Sequence, residues 1–155
     1  MKITRVKVNN RRKAFEIMAG RRTYVFPYAK LEVRPTAANR VTHAYVDKEL
    51  GGDAFTYTLE SGDEGTVHLD HVLEYNQDPG YMRDLLLYKL TLEARRRVAR
   101  AALSRRKLIR RLRTSPAQFY RLLDQTNYKK SVDQLLYLLR ILECDVDLVI
   151  RERAA

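Results

Sequence analysis

The chain has 155 residues, room for one well-packed domain or two small ones, and its 45% hydrophobic and 32% charged content fits a soluble, folded protein. It contains no apolar run of about 18 residues, which excludes a membrane-spanning helix, and its basic start leads into no apolar core of the signal-peptide kind. A single cysteine, Cys144, excludes an intrachain disulfide and a cysteine-rich zinc site, and a cytoplasmic location is expected.

The net charge of +11 is unevenly placed: residues 1–80 carry +1 and residues 81–155 carry +10. Arg95, Arg96, Arg97, Arg100, Arg105, Arg106, Lys107, Arg110, Arg111 and Arg113 follow one another with no acid between them. Such clustering costs self-repulsion that a polyanionic partner would relieve; a solvated basic face without a partner is the plainer alternative.

Taken in order, residues 2–9 alternate Ile3, Val6 and Val8 with Lys2, Arg5 and Lys7, which predicts a strand. After the turn at residues 9–12, Ala14–Ala19 and Thr23–Phe26 form a hairpin around Gly20, and Pro27 ends its second strand. Residues 28–34 are ambiguous and residues 35–39 read as a loop. Val41–Val46 alternates again. Phe55–Glu60 and Thr66–Leu69 flank Ser61-Gly62-Asp63-Glu64-Gly65, the clearest hairpin in the chain. A short helix over residues 70–75 precedes the polar segment Asn76–Gly80, which marks a domain boundary. The expected fold class is therefore α+β, with a small, mostly β domain over residues 1–78 and a helical domain over residues 79–155.

From Tyr81 the period changes from two to about 3.6, predicting a long helix to about Leu103 with Leu85, Tyr88, Leu92, Ala99 and Ala102 on its apolar face. Two short helices follow, with Leu108, Ile109 and Leu112 in the first and Phe119, Leu122 and Leu123 in the second. The corner between them is Arg113-Thr114-Ser115-Pro116. Ser115 suits the cap position, Pro116 the first helical position, and Gln118 three residues later completes a capping-box pattern. A helix, a three- to four-residue corner and a second helix is the geometry that lays a helix into the DNA major groove. Residues 125–130 form a basic loop, and Ser131 caps a further helix holding Val132, Leu135, Leu136, Leu139 and Leu142. The alternation from Cys144 to Arg151 predicts a terminal strand, paired either with the N-terminal sheet or with its copy in a dimer.

The C-terminal region, from about Thr91 to Leu142, resembles the lambda-repressor-like, or Xre-type, helix-turn-helix family, which includes phage repressors and the antitoxin halves of some bacterial toxin–antitoxin pairs. The matching positions are Ser104, Leu108, Leu112, Ser115, Phe119, Leu122, Leu123, Lys129, Lys130 and the helix from Val132. Arg105 departs from the family's glutamine, Ile109 from its alanine and Arg113 from its corner glycine, so a different corner backbone is expected. The resemblance implies a helical bundle and a bacterial transcriptional regulator, of antitoxin-like type among others, that binds double-stranded operator DNA as a homodimer. It places Pro116, Ala117, Gln118 and Arg121 against base edges, with Gln118 suited to adenine and Arg121 to guanine. Arg105, Thr114, Ser115, Tyr128, Lys129 and Lys130 would hold phosphates. The N-terminal domain would serve dimerisation, ligand binding or a protein partner. A competing reading is an adaptor whose basic helices bind an acidic protein such as a toxin.

His68, Asp70 and His71 form the one cluster of metal-ligand residue types, extendable by His43, but their spacing matches no metal motif and a hydrogen-bonded strand end is the ordinary reading. No phosphate loop, G-x-S-x-G elbow or H-E-x-x-H is present, so neither an enzyme nor a cofactor is expected.

Overall fold

A computed structural model describes residues 1–154 of the chain. The fold is α+β, with two three-stranded antiparallel sheets and five helices among the described residues. No helix among them is long and apolar enough to cross a membrane. The chain divides into two compact units, Met1–Met82 and the residues from Arg83 onward.

In the first unit, β1 (Ile3–Asn9), β2 (Ala14–Ala19) and β3 (Arg22–Pro27) make one sheet in that order. The β2–β3 turn needs only Gly20 and Arg21, because Gly20 at φ +60 takes the left-handed backbone such a turn requires. β4 (Val41–Val46), β5 (Ala54–Leu59) and β6 (Glu64–His68) make the second sheet. Between the sheets the ambiguous segment folds as a single 3-10 turn, Tyr28–Lys30. Helix α1 (Leu69–Tyr75) follows directly on β6 and buries Leu69, Val72 and Leu73.

Phe15 joins the two sheets. Fully buried on β2, its ring lies 4.9 Å from Tyr28, 4.9 Å from Phe55 and 5.4 Å from Tyr57, the last two on β5. Contacts of this kind add about 0.5–1.5 kcal/mol each beyond the area they bury. Tyr57 spans the core and donates its hydroxyl to the Val33 carbonyl at 2.8 Å. Its phenol runs over Gly65, its cross-strand partner, where any Cβ would overlap it. Gly65, expected from the sequence in the turn, lies instead inside β6, where it is a packing requirement; the turn glycine is Gly62 at φ +90.

Helix α2 spans Pro79–Arg100 and so starts and stops two to three residues earlier than the periodicity suggests. Asp78 is the reason for the start: its carboxylate accepts from the Tyr81 N–H at 3.2 Å and its carbonyl from Met82, with Pro79 in the first helical position. The predicted apolar face also has the wrong phase. Leu87, Thr91, Ala94 and Val98 are buried, whereas Tyr88, Ala99 and Ala102 are exposed. Thr91 passes as core because its hydroxyl donates to the Leu87 carbonyl at 2.6 Å.

The second unit continues with α3 (Arg105–Leu112), α4 (Pro116–Leu122) and α5 (Val132–Ile141). Its core gathers Leu87, Ala94 and Val98 with Leu108, Leu112, Phe119, Leu122, Leu123, Leu135, Leu138 and Leu139. The strand predicted over Cys144–Arg151 is not formed: those residues have no regular structure, and Leu148, Val149 and Ile150 are 79%, 70% and 85% exposed. A strand requires a ladder partner for its backbone groups, and among the described residues no segment pairs with this one.

Asp78 also accepts from the Tyr24 hydroxyl at 3.0 Å and the Arg22 guanidinium at 3.2 Å while itself almost buried. The Tyr81 N–H, then Tyr24 and Arg22, hold its carboxyl below the usual range against the opposing effect of burial. Because the folded pKa lies below the unfolded one, this stabilisation is complete above the ordinary carboxylate range and is lost as pH falls through the folded value. Urea unfolding at neutral pH should show Asp78→Asn destabilised by about 1–2 kcal/mol. The deficit should shrink on acidification below the ordinary carboxylate range.

Candidate nucleic-acid interface

The geometry begins with three serine caps. Ser104, Ser115 and Ser131 each accept from the backbone N–H three residues on, at 3.2, 3.2 and 3.4 Å, and so open α3, α4 and α5. The capping box expected at Ser115 is half formed: among the described residues no bond returns from the Gln118 side chain, which leaves that amide facing solvent. Between α3 and α4 the expectation of an altered corner fails. Arg113 itself takes the left-handed conformation, φ 54 and ψ 48, and its N–H and that of Thr114 close the helix on the Arg110 and Ile109 carbonyls. The strain of a side chain at this position is accepted, and a cation stands at the corner instead of a glycine.

Helix α4 has seven residues, too few to persist on its own hydrogen bonds. Phe119, Leu122 and Leu123 are buried, while Pro116, Ala117, Gln118 and Arg121 are exposed. Its open C-terminal carbonyls are taken up by side chains from two other segments. Asn127 donates to Arg121 O at 3.2 Å, Arg95 to Leu123 O at 3.2 Å, and Lys130 to Leu122 O at 3.0 Å and Asp124 O at 2.6 Å. Two cations at the negative end of the helix dipole strengthen the arrangement. Burial pushes the Lys130 ammonium pKa down, against the nearby Asp124 carboxylate, which raises it.

Of the residues expected to meet DNA, the structure brings Gln118, Arg121, Lys129 and Lys130 together around one shallow cleft of about 380 Å³, with Asn127 and Gln134 completing its rim. Lys130 differs from its neighbours there, since its ammonium is committed to backbone carbonyls. Arg105 lies apart from the cleft, its guanidinium 5.9 Å above the Tyr120 ring, a cation–π contact that ties the start of α3 to α4. Thr114, Ser115 and Tyr128 do not line the cleft; Thr114 is half-buried and Tyr128 is 42% exposed. Asn127 and Tyr120 were not singled out by sequence, and Arg95 only as one of a run of cations. The clamp pairs residues 28 and 6 positions apart with backbone carbonyls, a relation that no side-chain pattern records.

The electrostatics of α3 oppose its own helix. Arg105, Arg106 and Lys107 occupy the first turn, where the dipole favours acids, and Arg106–Arg110 and Lys107–Arg111 are like-charged pairs four apart. Among the described residues none of these side chains pairs with a carboxylate, whereas Arg96 and Arg97 both pair with Glu93 at 3.0 and 2.9 Å. The metal candidates do not converge. His68 and His71 stand 6.3 Å apart between ring centroids, and among the described residues no three His, Cys, Asp or Glu groups are placed to hold an ion.

The charge on α3 gives a direct test. Arg106→Glu should raise the thermal stability of the free protein by about 0.5–1 kcal/mol at low salt, through the dipole and a new pair with Arg110. The gain should collapse near 1 M salt, where screening removes both effects.

Compared with known proteins, the chain matches no family model, no curated protein and no solved structure.

Proposed function

We propose that the protein is a sequence-specific DNA-binding regulator whose residues from Arg83 onward act as a lambda-repressor-like helix-turn-helix module. The observation that carries this reading is the exposed face of α4: Gln118 and Arg121, free of acid partners and anchored by a capped, clamped helix, stand beside Lys129 and after a left-handed corner. Gln118 reads adenine and Arg121 reads guanine, while Lys129 and the unpaired cations of α3 hold phosphates. The helix penalty built into α3 supports the same conclusion, since a polyanion laid along it converts that penalty into binding energy. Lys130 is best read as a brace for α4 rather than as a phosphate contact.

One recognition helix covers few base pairs, so the regulator works as a homodimer on a two-fold operator. The exposed Val146, Leu148 and Ile150 alternate along the tail and form a strand against the same segment of a second copy, which supplies the ladder that one chain lacks.

Selection of a random duplex library at two salt concentrations should retain a two-fold motif at the higher one, and log K should fall with log salt at about −0.9 per phosphate held. Arg121→Ala should cost about 1–3 kcal/mol on the selected motif alone, while Lys129→Ala should weaken all sequences alike. Retention that vanishes with salt and leaves no motif would reject the DNA reading and bring forward an acidic protein as the partner of these helices.

Removal of residues 145–155 should convert the dimer to monomer by analytical ultracentrifugation without unfolding the helices. A truncated chain that remains dimeric would assign the interface elsewhere.

A further inference from the structure

The first unit is nearly neutral overall, yet three of its cations surround one pocket and no acid lines it. The pocket holds about 470 Å³, a volume suited to a small organic molecule. Its wall is largely apolar, formed by Pro27, Tyr28, Ala29, Pro35 and Ala37, and Lys13, Arg34 and Arg40 stand around it.

Both guanidiniums are held by one edge. Arg34 donates through Nε to the Leu31 carbonyl at 3.3 Å, and Arg40 through Nε to the Ala37 carbonyl at 3.5 Å. The terminal Nη groups are left for another acceptor. Glu60 accepts from the Arg40 backbone N–H at 3.2 Å, and among the described residues neither Arg34, Arg40 nor Lys13 forms an ion pair. Leaving two anchored guanidiniums and an ammonium unpaired beside an apolar wall stabilises nothing within the chain.

The scaffold is already shaped. Tyr28 receives its position from Phe15, from a bond between its N–H and the Lys13 carbonyl at 2.9 Å, and from its hydroxyl donating to Asn10 Oδ1 at 2.9 Å. Asn10 is fixed in turn by donating to the Val41 carbonyl at 3.0 Å. Lys13 is held at φ 52, a left-handed backbone uncommon for lysine, which fits a loop whose shape is set by surroundings other than its own preference. The loop opposite is closed by reciprocal Thr36–Asn39 backbone bonds of 2.9 and 3.1 Å. A ligand entering such a site loses little to ordering of the protein.

We propose that this pocket binds a small amphipathic anion, a carboxylate or phosphate carried on a flat apolar body. The body packs against Tyr28, Pro27 and Pro35, and the anionic head takes the free Nη groups of Arg34 and Arg40 in the bidentate manner guanidinium favours. The site lies outside the proposed DNA-binding face and does not depend on that reading.

The test uses ¹⁵N-labelled full-length protein titrated with naphthalene-2-carboxylate, 2-naphthyl phosphate, the neutral naphthalene-2-carboxamide and inorganic phosphate. One or both naphthyl anions should shift the amides of Ala29, Thr36 and Ala37, and their order of affinity identifies the preferred head group. The carboxamide should bind at least about tenfold more weakly than the better anion, the difference expected of a lost charge-assisted bond. Arg34→Gln and Arg40→Gln should each weaken the better anion about five- to tenfold, while Arg121→Ala leaves it unchanged. Equal binding of the carboxamide, shifts that map to another surface, indifference to both arginine substitutions, or no shift with either naphthyl anion at millimolar concentration would each overturn the proposal. Inorganic phosphate matching naphthyl phosphate would overturn the amphipathic part by removing any role for the apolar wall.

Discussion

A helix of two turns leaves most of its backbone groups outside its own hydrogen-bond ladder, so α4 exists only because its surroundings complete it. Ser115 satisfies one end, the buried side chains of Phe119 and Leu122 hold the middle, and Asn127, Arg95 and Lys130 take up the carbonyls at the other end. Everything proposed for the exposed face of this helix depends on that completion. Gln118 and Arg121 can present a fixed pattern of donors only if the backbone beneath them does not fray. Two of the cations that sequence counting assigns to the basic surface are thus spent internally, on carbonyls, where their charge also meets the helix dipole.

The remaining charge divides into paired and unpaired sets along the chain. On α2 the acid Glu93 holds Arg96 and Arg97, and these guanidiniums fall beside it at helical spacing. On α3 no acid intervenes, and the helix keeps its shape through Ser104, Leu108 and Leu112 in spite of its charge. A protein under selection for stability alone would place a glutamate in the first turn of α3. The arginines that stand there instead are the physical argument for the proposed use of this surface with a polyanion.

Much of the fold was legible because local rules agree with the tertiary outcome. The alternation of β1 and β4, the glycine turn after Ala19 and the serine caps each appear where short-range chemistry requires them, although the turn is one residue shorter than Gly20-Arg21-Arg22. The failures have physical causes of another kind. The face of α2 was misjudged because Thr91 is polar by composition yet satisfies its hydroxyl within the helix. The start of that helix was misread because Asp78 and Pro79 resemble a linker and act as a cap. The terminal strand was inferred from alternation alone, whereas a strand is a property of a pair of segments. On α4 the buried Phe119, Leu122 and Leu123 followed from periodicity, and the exposed residues from the family resemblance. The clamp followed from neither, because backbone carbonyls carry no sequence identity.

Phe15 has no part of its ring in contact with water, and it touches one aromatic residue from the 3-10 turn and two from the second sheet. Tyr28 therefore cannot tilt without displacing a ring that also sets the spacing between the sheets. In a close-packed interior such a displacement is resisted by every neighbour at once. One wall of the cationic pocket is for this reason as stiff as the core behind it. Size selection at that wall follows a hard boundary, whereas the arginine side of the pocket, held by one Nε bond on each guanidinium, selects for charge.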